Sequence, residues 1–260
     1  MRRMGRGWAK GLAASTDGRV ARAAIGHIGL TYRPRSGPGR RTLPLVWCDE
    51  LAYVVGLLAT DGCLISGRTQ IAFVSADREL CETLRELIGV QCRIRETITY
   101  SGGRAYRMQF GDAAFYRWLL AVGLTPRKSL TLGAIDVPIR YISALVRGLL
   151  DGDGSIVHYW HDGTGKASGR YEALRVRFCT ASEAHVTWLR EVMRSSFGVH
   201  GWITSSPSRD GARRYFYLAY GNRESVEVLK RLYADVTAPR LERKRATWLA
   251  YFESHEASVR

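Results

Sequence analysis

The sequence has no apolar run approaching the roughly 18 residues that a membrane span needs, and no continuous apolar stretch behind its basic amino terminus. Neither membrane insertion nor export is expected. Cysteine is scarce and odd in number. Cys48, Cys63, Cys81, Cys92 and Cys179 include no C-x-x-C pair, which disfavours a disulfide framework and a zinc site and fits a reducing compartment, the cytoplasm of a bacterium or archaeon or an organelle matrix. Acidic residues are also few, 24 against 39 Lys and Arg, for a net charge of +15. Residues 1 to 46 hold ten Arg or Lys against the single acid Asp17, so this segment supplies +9 of that total. A body with a basic arm of this kind fits a polyanionic partner. No long amphipathic helix favours a membrane surface, so nucleic acid is expected. Apolar residues, by contrast, are plentiful at 46%, with 7 Trp and 13 Tyr, which fits a globular chain rather than a disordered one.

The chain is written twice. A helical run from Glu50 through Gly56-Leu57-Leu58-Ala59-Thr60-Asp61 stops at Gly62, and a strand follows from Cys63. From Ser143 the pattern returns through Gly148-Leu149-Leu150-Asp151-Gly152-Asp153 to Gly154. After each run come two strands, an amphipathic helix (Asp77 to Ile88; Ser182 to Phe197), a Gly-Val pair, two further strands and another helix. Each half closes on a Pro-Arg segment that leads to Lys128 or Lys244. The separation of equivalent points grows from 92 residues at the aspartates to 116 at the lysines, which places the extra residues chiefly in the Gly-rich stretch His161 to Tyr171. The expected architecture is α+β, two duplicated αββαββα units with antiparallel sheets. The expected divisions are a basic arm and linker over 1–46, a first half over 47–140 and a second over 141–260.

Gly56 and Thr60 lie one helical turn apart, as do Gly148 and Gly152, so each repeated helix carries a stripe of small residues. Packed along those stripes, with Gly56 and Gly148 at the interface, the helices would bring Asp61 and Asp153 together, while Tyr53, Leu57, Leu58, Leu145 and Leu149 would face two separate half cores. Two adjoining carboxylates and the last helical carbonyls, those of Thr60 and Gly152, form an anionic oxygen cluster that a hard divalent cation would neutralise. Mg²⁺ is the expected ion, and against a phosphodiester it could activate water. A calcium loop at Asp151-Gly152-Asp153-Gly154-Ser155 is disfavoured, since its glycine falls at the wrong offset and no Glu occupies the twelfth place. His158 and His161 at i and i+3 make a poor metal site in a strand or loop. The strands alternate apolar with basic or polar residues. Arg93, Arg95, Thr97 and Thr99 form one face of a strand over Cys92 to Tyr100, and Arg104 and Arg107 lie in the next. Arg175, Arg177, Arg213, Tyr215 and Tyr217 do the same in the second half, with Gln70 a further candidate in the first. Such a face can enter a DNA major groove, where Arg reads guanine and Gln reads adenine.

Gly56-Leu57-Leu58-Ala59-Thr60-Asp61-Gly62 and Gly148-Leu149-Leu150-Asp151-Gly152-Asp153-Gly154 resemble the paired signatures of the LAGLIDADG homing endonucleases of single-chain type, over roughly residues 47 to 255. The resemblance implies saddle-shaped sheets that straddle a long double-stranded DNA target, signature helices at the interface, and a monomer that cleaves phosphodiesters site-specifically. Asp61 and Asp153 would be the catalytic, metal-binding acids, with Mn²⁺ able to replace Mg²⁺ and Ca²⁺ binding without supporting cleavage. Lys128 and Lys244 resemble the family's basic residues near the scissile phosphates; phosphate anchoring and helix capping are their other readings. Gln70, Ser75 and Thr180 are weaker candidates for positioning water. Ala59 departs from the pattern where the second copy keeps Asp151, a position that the resemblance makes structural. The arm, with a short helix expected from Asp17, resembles modular DNA-binding motifs appended to some such nucleases. An intron-encoded or freestanding enzyme is expected rather than an intein, as terminal splicing residues are lacking. A relative that binds DNA or RNA through the same fold without cutting stays open. An unrelated RNA-binding module is disfavoured by the lack of RNP-like aromatics and of a GXXG clamp.

Overall fold

Apolar side chains on every side of Asp49–Thr60 leave that helix, α1, with no face to offer water, and each residue from Leu51 to Ala59 is buried. Its counterpart, α4 (Ile142–Asp153), is buried from Ala144 to Asp151. These facts come from a computed structural model that describes residues 41–99, 102–162, 170–208 and 210–259. The two helices pack backbone to backbone. A Cβ on Gly56 would lie 2.3 Å from the Leu145 carbonyl oxygen, and one on Gly148 would lie 2.3 Å from that of Tyr53. A Cβ on Gly152 would collide with the Thr60 side chain. The stripes of small residues are therefore the contact line.

Each central helix runs into the edge strand of a four-stranded antiparallel sheet. In the first half the strands are β1 (Gly62–Leu64), β2 (Gln70–Ser75), β3 (Arg95–Ile98) and β4 (Arg104–Gly111), in the order β1-β2-β4-β3. In the second they are β5 (Ser155–Asp162), β6 (Arg170–Thr180), β7 (Trp202–Pro207) and β8 (Arg214–Tyr220), in the equivalent order β5-β6-β8-β7. Helices α2 (Arg78–Ile88) and α3 (Ala113–Ala121) complete the first αββαββα unit, and α5 (Glu183–Phe197) and α6 (Asn222–Leu232) the second. The fold is thus the duplicated α+β architecture, two saddle-forming antiparallel sheets either side of the paired helices.

Alternation assigns the faces. Ile71 pairs with Phe110 and Phe73 with Met108, and Val176 pairs with Tyr220 and Phe178 with Leu218; all eight side chains are buried on the helix-covered side. Successive residues of a strand point to opposite faces, so their neighbours turn away from the core. The hairpin geometry departs from expectation at β3, whose ladder begins only at Arg95, while Tyr100, the arm to residue 40 and most of the Gly-rich stretch after Asp162 lie outside the described residues.

A final helix, α7 (Glu242–Val259), follows the second unit, where the first is followed by 3-10 turns over Lys128–Leu130 and Ile139–Tyr141. It buries Trp248 and Tyr251, and Arg243 forms a two-pronged ion pair with Asp77 just before α2, at 2.8 and 2.7 Å. Residues 41–43 also belong to the folded body: Thr42 and Leu43 donate to the Ile88 carbonyl, and Arg41 pairs with Asp112 at 3.1 Å. Among the described residues no helix is long and apolar enough to cross a membrane.

Candidate functional site

Asp61 caps the end of α1 and Asp153 is the last residue of α4. The glycine after each is needed for room. Gly62 opens β1, and Gly154 is extended at φ −83 and ψ 170 rather than left-handed, so neither stops its helix in the expected way. A Cβ would lie 2.4 Å from the Leu58 carbonyl oxygen at Gly62 and 2.6 Å from that of Leu150 at Gly154. The chain turns tightly back over the last helical turn, and only glycine fits. Because β1 and β5 are edge strands that start at these turns, the two aspartates sit at the seam between the sheets.

Asp61 is half-buried and Asp153 reaches the surface, yet protein surrounds both, and loss of solvation raises both carboxyl pKa values. The charge of Asp153 pushes Asp61 further, to about 7, against the opposing pull of Lys244 and Lys128. Each lysine is buried. Lys128 donates to the carbonyls of Thr60, at 3.5 Å, and Gly62; Lys244 donates to those of Leu150, Asp151, Gly152 and Gly154, at 2.5, 2.8, 3.4 and 2.7 Å. The two ammonium groups therefore cap the negative ends of α1 and α4 and sit beside the carboxylates. Burial lowers both, Lys244 to about 8. The structure brings Asp61, Asp153, Lys128, Lys244 and the Thr60 and Gly152 carbonyls into one cluster. Among the described residues no group of three or more His, Cys, Asp or Glu is arranged to hold a metal, so a cation here would rest on two carboxylates and backbone oxygens.

Asp151 is the member of the site that the sequence undervalued. Its fully buried carboxylate accepts from the Tyr53 hydroxyl at 2.8 Å and from the Leu241 backbone N–H at 2.9 Å. Tyr53 therefore crosses the helix interface instead of facing the first half core. Its ring also lies 5.5 Å from the Arg147 guanidinium, which donates to the Pro239 and Leu232 carbonyls. Asp151 thus anchors the start of α7 and with it Lys244. The spacing of Asp151 from Asp153 was visible in sequence, but its partners lie some 90 residues or more away and carry no local signal. Ser75 and Thr180 accept from the backbone N–H groups of Asp77 and Ser182, both at 3.2 Å, and so cap turns before α2 and α5.

The outer faces of the sheets separate the DNA-contact candidates. Gln70, Arg95, Thr97 and Arg107 share the open face of the first sheet, with Arg93 exposed just before it. Arg104 does not: it is three residues from Arg107, pairs with Ile98, and makes an ion pair with Glu96 at 3.1 Å on the opposite face. Thr99 lies in the hairpin turn, where its hydroxyl accepts from Gly103 N–H at 2.9 Å. Gln109, missed in the sequence, joins the open face by its parity with Arg107, accepting from Arg107 at 2.9 Å and donating to Gln70 at 2.8 Å. In the second sheet Arg175, Arg177, Tyr215 and Tyr217 share the open face, and Arg213 is exposed in the turn before β8. Val157, Tyr159, Tyr171 and Trp202 lie there too, and only the pairing register reveals it.

No protein-family model and no curated sequence matches the chain. Solved structures do resemble it. Variants of the homing endonuclease I-DmoI share 16% identity over 76% of this chain and 96% of theirs, with a TM-score of 0.50. The LAGLIDADG homing endonuclease I-LtrWI bound to target DNA shares 9% over 80% of this chain and 91% of its own, with a TM-score of 0.51. Full-length DUF199/WhiA from Thermatoga maritima shares 11% at a TM-score of 0.48, and the chain spans 60% of the length of that protein. At these identities the likeness is one of fold.

Proposed function

We propose that the chain is a monomeric, site-specific endonuclease that hydrolyses phosphodiester bonds in a long, asymmetric double-stranded DNA target. The observation that supports this most is the meeting of Asp61 and Asp153, one from each repeat, at the seam between two sheets whose open faces carry Arg, Gln and Tyr. A carboxylate pair that burial and mutual repulsion make costly to ionise fits a hard divalent cation, Mg²⁺ or Mn²⁺. Asp61 and Asp153 would hold it, with the Thr60 and Gly152 carbonyls beside them. Bound there, such an ion supplies an activated water and offsets charge on the leaving oxygen.

The chain's own residues prepare the reaction. Gly56 and Gly148 let α1 and α4 approach backbone to backbone, which carries the charge of Asp153 within reach of Asp61. Lys128 and Lys244 satisfy the helix-end carbonyls and set positive charge next to the seam, where a phosphate would lie. The sheets on either side would hold the duplex across it. One copy of the chain supplies both halves, so the two strands meet unlike surroundings.

One observation favours a second reading, a protein that binds DNA without cutting it: the ammonium groups of Lys128 and Lys244 already engage the Thr60 and Gly152 carbonyls. The two readings separate when the chain is incubated with a plasmid library of random inserts and Mg²⁺, and the resulting ends are sequenced. Cleavage is expected at one recurrent sequence, and Asp61→Asn and Asp153→Asn should abolish it while leaving duplex retention intact. Retention of selected duplexes by the unmutated chain with no recurrent ends would overturn the nuclease in favour of binding alone.

A further inference from the structure

The open faces of the two sheets are chemically unlike. On the first, Arg107, Gln109 and Gln70 form a hydrogen-bonded chain across β4 and β2, and Arg95 stands opposite Arg107 on β3. Each link fixes the next side chain before any ligand arrives, so donors and acceptors are presented in a set order. The residues between them, Ala72 and Ala105, are small. Nothing apolar larger than Val74 shares this face within β2 and β4.

On the second sheet the equivalent surface carries, beside Arg175, Arg177 and small residues, several rings and the aliphatic Val157. Val157 and Tyr159 of β5, Tyr171 of β6, Trp202 of β7 and Tyr215 and Tyr217 of β8 all turn outward by register. Val157, Tyr171 and Trp202 are each more than 40% exposed. The two arginines of this face lie over rings, Arg175 6.0 Å from the Trp202 centroid and Arg177 4.9 Å from that of Tyr217. Glutamine is absent from the strands of this sheet.

In a major groove, Arg and Gln engage the N7, O6 and N6 edges of purines, whereas apolar side chains meet the C5 methyl of thymine. We propose that the two sheets read the two halves of the duplex by different chemistry: the first through purine edges contacted by Gln70, Gln109, Arg95 and Arg107, the second through thymine methyl groups packed against Val157 and the rings around it. This rests on the DNA-binding reading above. The asymmetry of the target is thus an asymmetry of chemistry as well as of sequence.

The test starts from a random duplex library selected for binding to the full chain in chelator, so that cleavage does not enter. The positions that lose preference in the exposed-residue variant Gln70→Ala/Gln109→Ala mark the half-site beneath the first sheet. Synthetic duplexes of the selected sequence then carry either deoxyuridine for thymidine or 7-deazapurines for purines in one half at a time. Removing the thymine methyls should weaken binding about fourfold per contacted base in the half beneath the second sheet and leave the other half unchanged. Removing N7 should cost about fivefold or more per contacted base beneath the first sheet. Equal effects in both halves, or the reverse pattern, overturn the inference while the DNA-binding reading stands. A chain that enriches no duplex at all overturns both.

Discussion

At the scale of single residues, two groups near the seam carry opposite pH dependences. Asp61 is raised to about 7, so between roughly pH 4 and 7 the folded chain holds a proton that the unfolded chain has lost. Its contribution to stability is full below pH 4 and disappears as pH rises through 7. His185 is buried, its Nδ1–H donating to the Gly133 carbonyl at 2.9 Å, and burial lowers it to about 4. The unfolded chain takes up that proton first, so its contribution is full above about pH 6.5 and is lost as pH falls toward 4. In the shared window the two effects offset one another. Thermal or urea unfolding in chelator should show Asp61→Asn gaining stability relative to the parent as pH rises from 4 to 8, by about 1–2 kcal/mol after solvent screening of this half-buried group. His185→Gln should remove an acid-side loss of about 3 kcal/mol between pH 6.5 and 4. Parallel stability profiles for parent and variants would count against both assignments. A third residue can be judged without titration. Tyr53→Phe leaves the buried Asp151 carboxylate with the Leu241 N–H as its remaining partner on that oxygen, and should cost about 1–3 kcal/mol in urea unfolding.

At the scale of elements, the pairing of α1 with α4 decides whether a site exists. A methyl at Gly56 or Gly148 points into the partner's backbone rather than into a side chain that could swing aside, so the helices must separate. Gly56→Ala and Gly148→Ala should each destabilise the chain by about 3 kcal/mol, and should weaken any effect of Mg²⁺ on Tm by parting the aspartates. An unchanged Tm for either would mean that the helices meet along some other line. This contact was legible in the sequence because small residues recur at helical spacing in both copies, and the apolar run around them has no polar face. The sheets were legible for the same reason: period-two alternation names a face without naming a partner. What the sequence hid was register and distance. Arg104 and Arg107 read alike as basic strand residues, yet an odd separation sends them to opposite faces. Trp202 and Val157 look like core material until pairing places them outward. The role of Asp151 depends on Tyr53 and Leu241, which only the folded chain brings to it, and α7 follows a part of the chain for which the first half supplies no counterpart helix.

For the whole molecule, the governing quantity is the charge of +15 and its distribution. Positive groups on the open faces, Arg95, Arg107, Arg175 and Arg177 among them, are exposed, so they contribute little to folding and are placed to meet a polyanion. Residues 1 to 40 add nine Arg or Lys against Asp17. Each phosphate neutralised on a duplex releases condensed counterions and adds about 0.9 to the slope of log affinity against log salt concentration, whatever the base sequence. If the sheets alone make on the order of six phosphate contacts, affinity for a selected duplex should fall about a thousandfold between 50 and 200 mM salt. Engagement of the amino-terminal segment as well should steepen the full chain's slope relative to a chain of residues 41–260 by several units. Base preferences should be the same for both if the segment touches phosphates alone, because phosphate contacts carry no sequence information and the side chains proposed to read bases lie within the sheets. Fluorescence anisotropy titrations of the two chains against the same selected duplex at four or five salt concentrations measure both slopes directly. Identical slopes would remove the amino-terminal segment from the DNA interface. A shallow slope for both would mean that the positive charge does not face the duplex, and would leave the seam between the sheets without the electrostatic grip that the proposed cleavage needs.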